Sequence, residues 1–166
     1  MILKSDNTLW AAGSNVYGRL GDNTTIDKHS PVQIMTDVAG VSTGWYHTMI
    51  LKTDGTLWAT GHNPHGELGD NTTIDKHTPF QLMTDVSAVS AGNLYTMIIK
   101  TDRTLWGTGA NDYSQLGDGT YSDSLIPIQV MSDVAAVAAG YHQTMILKTD
   151  KTLWETPNLV LCPSRY

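Results

Sequence analysis

Four tryptophans, Trp10, Trp58, Trp106 and Trp154, stand 48 residues apart. Their surroundings repeat with them. Thr-Leu-Trp occurs at 8–10, 56–58, 104–106 and 152–154, and Leu-Gly-Asp at 20–22, 68–70 and 116–118. Met1, Met49, Met97 and Met145 share a column, as do Pro31, Pro79 and Pro127, and Gly44, Gly92 and Gly140. No gap is needed from residue 1 to about residue 156. A fixed period near 50 restricts the chain to stacked copies of one supersecondary unit, each meeting its neighbours alike.

Residues 32–35, 38–43, 47–53 and 56–60 read as four short β-prone runs. Thr36-Asp37 reads as a turn between the first two. Asp54-Gly55 is a hairpin turn, because both central positions of a type I′ turn need positive φ. A loop rich in Gly, Asn, Asp and His fills 61–79. No apolar stripe of helical period survives ten residues, which excludes a helical solenoid. The expected fold is all-β: propeller blades of four antiparallel strands, about three and a half of them, forming a partial or open propeller. The expected division is a half blade at 1–12, full blades at 13–60, 61–108 and 109–156 with their preceding loops, and an irregular tail at 157–166. The tryptophan column reads as blade core.

Gly44-Trp45-Tyr46-His47-Thr48, the run from Leu51 to Trp58 and the stretch from Gly61 to Asp70 together resemble the repeat of the regulator of chromosome condensation family. The resemblance implies a propeller that is usually closed with seven blades. It also implies a wide choice of activities: nucleotide exchange on the small GTPase Ran with chromatin binding, plant ultraviolet-B sensing, or inhibition of β-lactamase by a secreted bacterial member. Function therefore has to be argued from the site. The photoreceptor's Gly-Trp-Arg-His-Thr is matched only at Trp45. Tyr46 replaces the arginine, and the other copies read Gly92-Asn93-Leu94-Tyr95-Thr96 and Gly140-Tyr141-His142-Gln143-Thr144, so light sensing is rejected.

Met1 falls on the repeat's own methionine column, and the register is lost at Pro157. Both suggest a piece of a longer seven-bladed protein. Open blade ends would also permit self-association. Net charge is −6, and fourteen of the sixteen acids are Asp, many in turn columns. Lys4, Lys52, Lys100 and Lys148 form a spread ring, not a basic patch, which argues against nucleic acid. Cys162 is the lone cysteine, so no internal disulfide is possible. No stretch has the pattern of a signal peptide or a transmembrane helix. Localisation is left open.

In an antiparallel meander, successive connections alternate between two rims. Connections 44–47 and 61–79 therefore share one rim, which carries most of the variation between copies. Its columns read Trp45, Asn93, Tyr141, then Tyr46, Leu94, His142, then His47, Tyr95, Gln143, with Arg19, Glu67, Gln115 in the long loop. Loop aromatics give large contact area at low entropy cost. These residues, with His62 and His65, form the expected face for a protein partner. Three residues apart, His62 and His65 form too small a set for a metal site. Residues 118–123 lack the ligand pattern of a calcium loop and read as a turn. The recurrence of 22–29 as 70–77 marks a structural loop. No nucleophile motif or phosphate loop is present, and no cofactor is expected. The expected function is a non-enzymatic scaffold binding another protein. The alternatives are a nucleotide-exchange regulator of a small GTPase, implied by the resemblance, and a carbohydrate or cell-surface binder.

Overall fold

The computed structural model describes residues 1–156 and the backbone of Val160–Leu161. Cys162 and the rest of 157–166 lie outside the described residues. The described chain is almost wholly β. The first sheet holds β1 (Ile2–Leu3), β2 (Leu9–Gly13) and β3 (Lys28–Met35). The second holds β4 (Val38–Thr43), β5 (His47–Lys52), β6 (Leu57–Gly61) and β7 (Lys76–Met83). The third holds β8 (Val86–Ala91), β9 (Tyr95–Lys100), β10 (Leu105–Gly109) and β11 (Ser124–Met131). The fourth holds β12 (Val134–Ala139), β13 (Thr144–Lys148), β14 (Leu153–Glu155) and β15 (Val160–Leu161). We call these blades A to D. Every pairing is antiparallel between consecutive strands.

The pairing moves each blade boundary by one strand from the expected division. The run after Pro31 bonds to β2 before it, with Ala11 opposite Val32, so the opening piece is a three-stranded sheet and not a half blade. The long loop is thus inside a blade, and Thr36-Asp37 is the link between blades. Asp37, Asp85 and Asp133 take positive φ there, a conformation that Asp tolerates in tight turns. Each new blade starts bound to the hairpin of the last: Val38 N–H donates to Asn7 O, Val86 to Gly55 O and Val134 to Arg103 O. At the other end, Val160–Leu161 pair with β14, so part of the expected irregular tail continues the fourth sheet.

Repeated columns fill the seams between blades. Leu9, Val38 and Ile50 join A to B, Leu57, Val86 and Ile98 join B to C, and Leu105, Val134 and Ile146 join C to D, all buried. Trp58, Trp106 and Trp154 are half-buried at these seams and Trp10 is half-buried on blade A, which corrects the reading of this column as blade core. Trp58 packs on the A–B cluster, Trp106 on B–C and Trp154 on C–D. Each indole N–H donates to the threonine two residues before it, as Trp58 does to Thr56 at 3.0 Å, and that threonine bonds the turn aspartate, Asp54, at 2.7 Å. An indole needs such a partner, so its edge stays beside the polar turn. Polar stitches add to the seams. Thr48 Oγ1 donates to Arg19 O, Thr96 to Glu67 O and Thr144 to Gln115 O. The outer faces lack this cover. Ile2 is exposed where its counterparts Ile50, Ile98 and Ile146 are buried, and Leu147 and Leu153 line a shallow apolar hollow of about 160 Å³ on blade D.

Candidate functional site

The long loops that frame the variable rim are held by one device used three times. Asn15, Asn63 and Asn111 are fully buried. In blade B, Asn63 Nδ2 donates to Asp70 Oδ1 and Thr72 O, its Oδ1 accepts Leu68 N–H, and its own N–H donates to Asp75 Oδ1. The same bonds recur around Asn15 with Asp22 and Asp27, and around Asn111 with Asp118 and Asp123. The Leu-Gly-Asp motif is explained by this: its leucine N–H and its aspartate both bind the buried asparagine. Two copies add an ion pair, Lys28–Asp22 at 2.7 Å and Lys76–Asp70 at 2.9 Å. Asp118 is engaged by Asn111 and Thr120, as befits a turn.

On this frame the rim aromatics form one continuous line. Tyr17 meets His62 at 4.1 Å between ring centroids, and His62 meets Tyr46 at 5.7 Å. Tyr46 meets Trp45 at 6.2 Å, and Trp45 meets Tyr141 edge-to-face at 4.9 Å. Tyr141 meets His142 at 4.2 Å, and His142 meets Tyr113 at 4.0 Å. Trp45 belongs to blade B and Tyr141 to blade D. Their contact passes over blade C, whose residue in that column, Asn93, is buried and donates its N–H to Gly140 O. Trp45 remains 53% exposed, Tyr141 49% and Tyr113 54%. Arg19 braces the line: its guanidinium donates to Ser14 O and Trp45 O and lies 5.7 Å from the Tyr46 ring.

Of the residues expected at the face, Trp45, Tyr46, His62, Tyr141 and His142 lie in this line. Five others are buried and are corrected to structural roles: His47, Asn93, Tyr95, Glu67 and Gln115. At position 47 and its first counterpart, His47 and Tyr95 turn into the seam. His47 Nε2 is 2.9 Å from Thr96 Oγ1 of the next blade, and Tyr95 Oη donates to Gln143 O and accepts from Thr144 Oγ1. Gln143 itself is exposed, but its backbone carbonyl serves that seam. Leu94 is half-buried and its carbonyl accepts Ala110 N–H. His65 Nδ1 sits 2.7 Å from Asp123 Oδ2. Tyr17 and Tyr113 escaped the sequence reading, although they share a column with His65 that reads Tyr, His, Tyr.

Burial sets the charge states inside the rim. It pushes the His47 imidazole down to about 3, so this histidine is neutral. It also lowers His62 and raises the Glu67 carboxyl to about 7. Among the described residues, no group of three or more His, Cys, Asp or Glu is placed to hold a metal ion. No helix of the described chain is long and apolar enough to cross a membrane.

Known proteins place the fold in a family. The regulator of chromosome condensation (RCC1) repeat matches residues 6–51, 54–99 and 103–147, and a second form of the same repeat matches 38–67. Human WBSCR16 superposes with a TM-score of 0.82 at 22% identity, over 96% of this chain and 46% of that one. Yeast RCC1 (Prp20), solved with Kap60 bound, gives 0.78 at 18% identity, over 90% of this chain and 39% of that one. Prp20p from Saccharomyces cerevisiae, described with its binding properties to Gsp1p and histones, gives 0.72 at 20%, over 84% and 39%. This chain thus spans less than half the length of these propellers. No curated protein sequence matches it. At such identities the likeness establishes the fold alone. The three consecutive repeat matches cover most of the sequence, and the chain belongs to the regulator of chromosome condensation (RCC1) repeat family.

Proposed function

We propose that this chain is a non-enzymatic scaffold that binds another protein through its aromatic rim. The observation that carries the reading is the unbroken line of rings from Tyr17 to Tyr113, with Trp45 and Tyr141 half exposed at its centre. Large aromatics held in place before binding contribute contact area with little entropy left to lose. Edge-to-face pairing and the Arg19 brace supply that preorganisation. The yeast neighbours support the reading by analogy, since their descriptions name the protein partners Kap60, Gsp1p and histones.

Affinity capture followed by quantitative mass spectrometry tests it, with Trp45→Ala and Tyr141→Ala compared to the native chain. Tyr121→Ala is the control, an exposed aromatic outside the line. Loss of a central anchor is expected to weaken a specific partner by tenfold or more, roughly 1.4 kcal/mol or above. Equal recovery with both variants sinks the reading, as does retention on a glycan array alone. A partner that proves to be a small GTPase redirects it to nucleotide exchange.

A further inference from the structure

On the rim opposite the aromatic line, blades C and D enclose a hollow of about 540 Å³, a volume in the range of small-molecule sites. Ala88, Ile99 and Val134 give it apolar walls, and Thr101 and Thr149 bring hydroxyls to it. Its charged residues are Lys100 and Arg103, and no carboxylate lines it. Among the described residues neither cation forms an ion pair, whereas Lys52, the counterpart of Lys100, lies 4.0 Å from Asp37. The acids of the surrounding turns are engaged by their own loops. Asp85 accepts from Thr84, Asp102 from Thr104, Asp133 from Ser132 and Asp150 from Thr152.

Two departures from the repeat meet in this hollow. The first is Ser87, which stands at the β-bulge between Val86 and Ala88. Blades B and D place Ala39 and Ala135 at the same bulge. The Ser87 hydroxyl bonds the carbonyls of Ile99 and Lys100, each at 3.1 Å, which leaves its oxygen able to accept. The second is Arg103, in a column that reads Asn7, Gly55, Arg103 and Lys151. Its φ is +66°, close to the +80° of Gly55. Left-handed backbone is open to glycine and costly for a residue with a Cβ. Blade C thus carries a strained residue where glycine would sit freely, and that residue brings a guanidinium to the lip of the hollow. The lip is fixed on both sides: Arg103 N–H donates to Lys100 O, and its carbonyl accepts Val134 N–H from blade D.

We propose that this hollow binds a small organic oxyanion, a carboxylate or phosphate monoester carried on an apolar body. The guanidinium fork of Arg103 suits two parallel N–H bonds to the oxyanion, and the Lys100 ammonium supplies a second positive charge. The body rests on Ala88, Ile99 and Val134, while the hydroxyls of Ser87, Thr101 and Thr149 meet its polar edge. The ligand and a protein on the aromatic rim occupy opposite faces, so either can bind without the other.

Nuclear magnetic resonance of the full ¹⁵N-labelled chain tests this, with phenyl phosphate and benzoate as probes. Inorganic phosphate and benzylamine serve as controls. Saturable shifts are expected at the amides of Ser87, Thr101, Arg103 and Thr149 with one or both aromatic anions, the tighter one naming the oxyanion. Arg103→Gly copies Gly55 and relieves the backbone, so folding is kept. It should weaken binding by about tenfold or more, and Lys100→Gln should weaken it in the same direction. Lys151→Gly makes the same backbone change outside the hollow and should leave binding unchanged. Unsaturable shifts, shifts at other residues, or unchanged affinity in Arg103→Gly overturn the proposal. So do benzylamine shifting the same amides, inorganic phosphate binding as tightly as the aromatic anions, and an equal loss in Lys151→Gly.

Discussion

At Glu67 the cost of burying a carboxylate makes the stability of the whole fold depend on pH. The folded chain holds this proton up to about 7, against an ordinary 4.5. Between those values the native state binds more protons than the unfolded one, so stability falls as pH rises and levels off above 7. Glu67→Gln removes that loss. It is expected to stabilise the chain by about 2–3 kcal/mol at pH 8 and by little at pH 4, measured by urea unfolding. An equal effect at both values would show that charge burial is not the source. His47 acts in the opposite direction. Its folded value near 3 means that stability declines as pH falls below 6.5. Neither effect was legible in the sequence, because residue type does not reveal which way a side chain turns. Tyr46 and Tyr95 lie one position apart in the repeat. One ring joins the rim, while the other is buried in a seam with its hydroxyl bound to Gln143 and Thr144.

The long loop is the element that decides where the rim stands, and one asparagine decides the loop. From a fully buried position, Asn63 ties together Leu68, Asp70, Thr72 and Asp75 of the loop between β6 and β7. Asn63→Ala would leave several buried polar groups unpaired, and the expected loss is about 2–4 kcal/mol by thermal or urea unfolding. Thr73→Ala, an exposed change in the same loop, should cost less than about 0.5 kcal/mol. If the two variants lose equally, the loop does not depend on its buried asparagine. Strand positions and turn residues were legible in the repeats, and so was the structural character of 22–29 and 70–77. The grouping of strands was not. Thr36-Asp37 is short enough to be a hairpin turn and the 62–75 loop long enough to link blades, yet their roles are reversed. Only the pairing of Val32 with Ala11 and of Phe80 with Ala59 reveals it.

Across the molecule, stability is assembled from equivalent seams. Each contains a buried leucine, valine and isoleucine, a half-buried tryptophan and a threonine stitch to the loop before it. Fold class was legible because every seam writes the same columns into the sequence at 48-residue intervals. The Trp45–Tyr141 contact was not, since it depends on loops curving over blade C. The stitches have a mechanical meaning. A threonine hydroxyl anchored on the previous blade is loaded in turn as the chain is drawn out from one end. Force spectroscopy should therefore record a sawtooth whose teeth are evenly spaced. Each released blade of 48 residues would lengthen the tether by roughly 160–170 Å, so the spacing of the tryptophans would reappear as a ruler under tension.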